Sequence, residues 1–185
     1  MTTASRDLRP ELRRRAAERF QKLSPAERES LIVKCWMSHD ARWFSAVAME
    51  FGLDAALRVN RTAVHEEGKV ELRRLMKRLG MAPPRNTEEY LLVQETIISL
   101  LGPDLLSYRI ENVRDDGFDI AVDECFAHDQ VTRAGIAAQY ECGILPRLTG
   151  WMEELRLGYE LTPEPAKCLK AQGQECRYRC TFNRF

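Results

Sequence analysis

The chain has no surplus of either charge: 28 Lys and Arg are matched by 28 Asp and Glu, for a formal net charge of zero. A protein that grips phosphate backbones needs a basic excess, so nucleic acid is excluded as an expected partner. Two local basic groups, Arg13 to Arg15 and Arg73, Arg74, Lys77 and Arg78, read as solvated helix faces. No stretch reaches the roughly 18 apolar residues of a membrane span. The first 23 residues lack an apolar core of the secretory type, so a cytoplasmic location and no membrane partner are expected. There is no Gly-rich phosphate loop, no nucleophile elbow and no dinucleotide fingerprint. Internal repeats and low-complexity tracts are also missing.

What is present is an ordinary globular composition, with 44% hydrophobic and 30% charged residues. Ser24, Pro25 and Glu27 form a helix start, a Ser cap with Pro at the first helical position and Glu three residues on. The spacing predicts a helix to about residue 51, stopped by Gly52. Asp54 is read as the cap of a second helix reaching about residue 79, ended by Gly80 and the Pro83-Pro84 pair. Thr87 is read as the cap of a third, over 88–101, stopped by Gly102-Pro103.

The pattern then changes. Residues 106–113 and 117–122 read as strands around Asp116-Gly117, a hairpin signal. Helices are expected over 129–140 and 146–155, and strands over 159–161, 166–171 and 176–182. Helices first and strands later predict an α+β fold, with a small antiparallel sheet and a C-terminal hairpin. The predicted divisions are a charged N-terminal arm, 1–23, a helical segment, 24–104, and an α+β end, 105–185. Residues 24–185 are expected to form one compact unit.

Five of the six cysteines fall between residues 125 and 180. A reducing compartment disfavours disulfides, so clustered cysteines there point to metal or chemistry. Cys168 and Cys176 are eight apart and flank the turn at Gly173, and Cys142 sits at a helix junction. A hairpin with a thiolate on each arm and a third from a helix end supplies three corners of a zinc tetrahedron. The fourth ligand is open among Glu164, Cys125, His128 and Cys180. The plainer reading is that these are small buried thiols.

The run Tyr140-Glu141-Cys142, then Cys168, then Gly173 followed by Cys176-Arg177-Tyr178, resembles the zinc site of the 4-vinyl-reductase-type domain superfamily. That superfamily includes the sensor domains of phenol- and xylene-responsive transcription activators. The resemblance covers about residues 105–182. It implies one zinc on Cys142, Cys168, Cys176 and a Glu, in a fold around a small-molecule pocket. The family places its Glu three residues before the first hairpin cysteine. Pro165 stands there in this chain, and Glu164 is one step further away. The same C-terminal pattern is similar to L-2-amino-thiazoline-4-carboxylate hydrolases. The whole chain, including Trp36-Met37-Ser38-His39-Asp40-Ala41-Arg42-Trp43-Phe44, looks like an uncharacterised bacterial family related to both.

A second site is expected in the helical half. His39 shares a helical stripe with Ile32, Trp36, Trp43, Val47 and Glu50. Glu67 and Glu71 lie on one stripe of the next helix, and together with His39 and Glu50 they would line a cavity for a metal or a general base. The plainer alternatives are a hydrogen-bonded core histidine and solvated glutamates. Tyr140 joins the pocket candidates, together with Phe44, Phe118, Phe126 and Trp151.

Two functions follow. One is a zinc-containing sensor or carrier of a small, aromatic molecule, acting as a homodimer. The other is a hydrolase of a small heterocyclic or amide-like C–N bond. Four protein ligands on zinc favour the first. Three ligands and a water favour the second.

Overall fold

The computed structural model describes residues 7–102 and 105–185, apart from the side chain at position 101. The expected stop at Pro103 and the boundary at 104 lie outside the described residues, as do the first six positions of the arm. The chain divides into two compact units, residues 1–42 and 43–185. The expected helical segment therefore shares a unit with the sheet from Trp43 onward.

The first unit holds α1 (Arg9–Phe20) and the start of α2 (Pro25–Phe51). The capping box forms as read. The Glu27 N–H donates to Ser24 Oγ at 3.2 Å, and the Ser24 N–H donates to Glu27 Oε2 at 2.8 Å.

The second unit contains the rest of α2, then α3 (Leu53–Leu79), α4 (Thr87–Leu101), β1 (Leu106–Arg114) and β2 (Gly117–Cys125). It continues with α5 (Phe126–Arg133), α6 (Ile144–Glu154), β3 (Gly158–Thr162) and β4 (Arg177–Arg184). The fold is α+β, helices first. The four strands form one antiparallel sheet in the order β1-β2-β4-β3.

Several boundaries differ from the sequence reading for identifiable reasons. Asn86, not Thr87, caps α4, its side chain accepting from the Glu89 N–H at 2.8 Å. The Thr87 hydroxyl instead donates to the Asp115 carbonyl, tying α4 to the β1–β2 turn. Gly52 rather than Asp54 caps α3. The helix expected over 129–140 is α5, which starts earlier and ends at Arg133. The strand expected over 166–171 is a single bridge, Glu141 to Lys167, followed by a short 3₁₀ turn, Lys170–Gln172.

The main core lies between α3, α4, α6 and one face of the sheet. It contains Leu72, Tyr90, Val93, Ile97, Phe118, Leu148, Trp151, Met152, Tyr178 and Phe182. Two glycines allow α3 and α6 to approach closely. A Cβ on Gly68 would meet the Arg147 carbonyl oxygen at 2.4 Å, and one on Gly150 would meet the His65 carbonyl oxygen at 2.2 Å. A smaller cluster joins Leu57, Val131, Tyr140 and Cys168. Among the described residues, no helix is long and apolar enough to cross a membrane.

Candidate metal centre

Four cysteines come from four separate backbone stations. Cys125 closes β2 and precedes α5, Cys142 precedes α6, Cys168 follows the bridge, and Cys176 precedes β4.

The bridge fixes two of them. The Cys142 N–H donates to Ala166 O at 2.9 Å and the Cys168 N–H donates to Tyr140 O at 3.0 Å. Side chains alternate along extended chain, so Tyr140, Cys142, Ala166 and Cys168 share one face of this ladder. Glu141 and Lys167 share the other, where Arg61 pairs with Glu141 at 2.8 Å. Cys142 and Cys168 are thus diagonal neighbours, a relation that puts Cβ atoms within about 7–8 Å.

The sheet supplies the other two. Phe118 pairs with Cys180 and Ile120 with Tyr178, and the Val122 N–H bonds to the Cys176 carbonyl. These residues face the core, so the register puts Cys176 on the core side. Cys125 is an odd-numbered residue and strict alternation would turn it outward. A register shift intervenes: Tyr108 pairs with Val122, but Ser107 pairs with Glu124 and Leu106 with Cys125. One extra residue on β2 resets the alternation and returns Cys125 to the core face.

The electrostatics agree with this geometry. Burial pushes the Cys125, Cys142 and Cys176 thiols up, Cys176 to about 12. Neighbouring thiols add to the rise: Cys168 acts on Cys125, Cys125 and Cys168 on Cys142, and all three on Cys176. Opposing it, the N–H groups of Ala127 and His128 favour a Cys125 thiolate, and those of Ile144 and Leu145 favour a Cys142 thiolate. Both sets belong to the first turn of a helix, where unpaired amides carry partial positive charge. His128 Nδ1 stands 3.7 Å from Cys168 Sγ. The Tyr140 hydroxyl is also pushed up, chiefly by burial and then by the thiols of Cys142 and Cys125.

These four thiols are neighbours rather than a closed ligand shell. Among the described residues, no group of three His, Cys, Asp or Glu side chains is set to hold a metal as it stands. Thiols and an imidazole are the donor types that thiophilic ions prefer. The four sulfurs lie near enough to act on one another's ionisation, two of them beside helix amides, with an imidazole beside a third.

The remaining candidates are placed elsewhere. Cys180 lies on β4 four residues beyond Cys176, a separation of about 13 Å along a strand. It is buried in the main core. Glu164 is exposed, in the segment after the cis Thr162–Pro163 bond.

In the second unit, Glu50 is exposed and Glu67 half-buried. Glu71 is buried, and its carboxylate accepts from Arg147 Nε at 2.7 Å and from the Trp151 indole. That carboxylate is committed to holding α3 against α6. Trp43 is 60% exposed. In the first unit, His39 and Trp36 are on exposed positions of α2. Phe118 and Trp151 are packed in the core. The surface carries an open groove of about 660 Å³ between α4 and β1, lined by Glu95, Ser99, Tyr108 and Glu124 among others. Polar and apolar side chains share its lining, and Tyr108 donates to Glu95 there.

Sequence reasoning named Cys125 and His128 only as alternatives. The bulge on β2 and the helix start at Phe126 give them their positions, and neither has a signature in residue spacing. Comparison with known proteins adds one finding. Residues 23–94 are similar to a family described as a "Family of unknown function (DUF6125)". That stretch spans α2, α3 and the first half of α4 and stops short of all four clustered cysteines. No curated protein matches the chain.

Proposed function

We propose that the chain is a cytoplasmic small-molecule-binding domain whose C-terminal half is clamped by one structural zinc on Cys125, Cys142, Cys168 and Cys176. Four thiols brought near enough to act on one another from four backbone stations carry this reading. Zinc would supply the closed, redox-inert cross-link that structural Cys₄ sites provide. The chain would contribute the rest. The amides opening α5 and α6 favour thiolate at Cys125 and Cys142, and His128 partners Cys168 as an outer-shell donor. Cys125 replaces Glu164 as fourth ligand in this proposal.

A Cys₄ set leaves no coordination place for water, which favours binding over hydrolysis. The commitment of Glu71 to Arg147 and Trp151 removes one general-base candidate as well. The small-molecule reading is supported by an aromatic-rich core, with Tyr90, Phe118, Tyr178 and Phe182 all buried, which contains polar atoms lacking partners.

Metal analysis of the full chain purified without added zinc tests the clamp. One equivalent is expected in wild type and in Cys180→Ser. Less than a fifth of that is expected in Cys125→Ser and Cys176→Ser. Wild type without metal, or a Cys176→Ser protein with a full equivalent, would overturn the proposal.

A further inference from the structure

Helix α4 carries three buried polar atoms without a protein partner: the Tyr90 hydroxyl and both ends of the Gln94 carboxamide. Gln94 is 0% exposed and Tyr90 is 1% exposed. The two residues are four apart, so they stack on one helical face. Val93 and Ile97 of the same helix enter the main core. The Tyr90 ring is held by packing, its centroid 4.9 Å from that of Phe182 and 5.9 Å from that of Phe118. The hydroxyl therefore cannot swing away to find water.

Leaving such groups unsatisfied is costly, because each loses its hydrogen bonds to water on folding and gains none. Leucine at position 94 would occupy similar space at no such cost. A polar residue kept against local packing logic is a mark of a functional position.

We propose that Tyr90 and Gln94 form the recognition end of a binding site, between α4 and the sheet, for a small uncharged molecule with a cis-amide head, such as a lactam. This deepens the small-molecule reading above and rests on it. The class follows from the donors and acceptors. One edge of a carboxamide presents an N–H donor beside a carbonyl acceptor. The complementary edge is a carbonyl beside an N–H on the same side, which a cis amide offers and a trans amide does not. Two parallel hydrogen bonds would satisfy both ends of Gln94, and the Tyr90 hydroxyl would donate to the second lone pair of the ligand carbonyl. A charged head is disfavoured. Burial keeps Tyr90 protonated, and the other groups acting on it, Cys180 and Tyr159, are likewise raised and neutral at physiological pH.

The probe is δ-valerolactam, titrated into the ¹⁵N-labelled full chain, with cyclohexanone as a control of similar shape lacking the N–H. The lactam is expected to move the Gln94 side-chain amide resonances, identified by their loss in Gln94→Leu. Its affinity should fall at least tenfold in Gln94→Leu and in Tyr90→Phe, and cyclohexanone should bind at least tenfold more weakly. Gln94→Leu should melt at or above the wild-type temperature, which keeps the comparison between folded proteins. Unmoved Gln94 resonances, or equal affinity in Gln94→Leu, would overturn the site. So would long-lived water contacts at Gln94 that saturating lactam does not displace. Native mass spectrometry separates the two levels. A co-purified molecule held equally by wild type and Gln94→Leu would sink this subsite and leave the small-molecule reading standing.

Discussion

Asp119 shows what single residues contribute to this fold. It lies on β2 with its side chain 5% exposed, ion-paired with Arg179 at 3.0 Å and Arg114 at 3.3 Å. Asn112 adds a hydrogen bond at 2.9 Å. Arg179 first, then Asn112, holds the carboxyl well below its ordinary range against the cost of burial. A lowered folded pKa means that the unfolded chain takes up the proton first. The stability Asp119 contributes is therefore complete above about pH 4 and is lost as pH falls through its folded value. Asp119→Asn should lose about 1–3 kcal/mol at neutral pH, and its urea midpoint should change less than that of wild type on acidification from about pH 4. Parallel acid profiles would contradict this. Glu71 is the second case. Glu71→Ala removes the carboxylate shared by Arg147 and Trp151 in a buried setting. A loss of about 3–5 kcal/mol is expected, measured by denaturant unfolding.

At the scale of elements, the contact between α3 and α6 depends on missing side chains. Gly68 and Gly150 each face a carbonyl of the opposite helix too closely for a methyl group. Gly150→Ala should cost at least about 1–3 kcal/mol, because backbone and not a flexible side chain must move. An unchanged melting temperature would show that the helices sit further apart. The same elements show what the sequence made legible. Ser24 and Glu27 announced the start of α2, and Asp116-Gly117 marked the β1–β2 turn, because both signals are local. Gly68 and Gly150 gave no signal, since the reason for them is in another helix. Cys142, Cys168 and Cys176 were singled out by their spacing, and their metal role belongs to the proposal. Cys125 was readable only as an alternative, because its inward orientation depends on one extra residue in β2. The expected strand over 166–171 failed for a related reason. An alternating pattern cannot distinguish a strand from a single bridge and a 3₁₀ turn, which is what presents Cys168.

For the whole molecule, the zinc proposal makes the sheet, α5 and α6 depend on one cross-link. The four thiols sit at or beside the ends of β2, α6, the bridge and β4, so one ion on them would tie those segments together. A strong chelator should therefore lower the melting temperature of the full chain by at least about 10 °C, and added zinc should restore it. Thiolates must shed protons to bind metal, so zinc affinity should fall steadily as pH drops below neutrality. Cys180 lies outside the cluster, and Cys180→Ser should leave the chelator response intact.

The most direct measurement is X-ray absorption at the zinc edge of the full chain as purified. Four sulfur scatterers at about 2.3 Å, with no nitrogen or oxygen bound to the metal, are expected. A shell of three sulfurs with one nitrogen or oxygen at about 2.0–2.2 Å would put His128, Glu164 or water in place of Cys125. It would contradict the Cys₄ clamp and the argument against hydrolysis drawn from it.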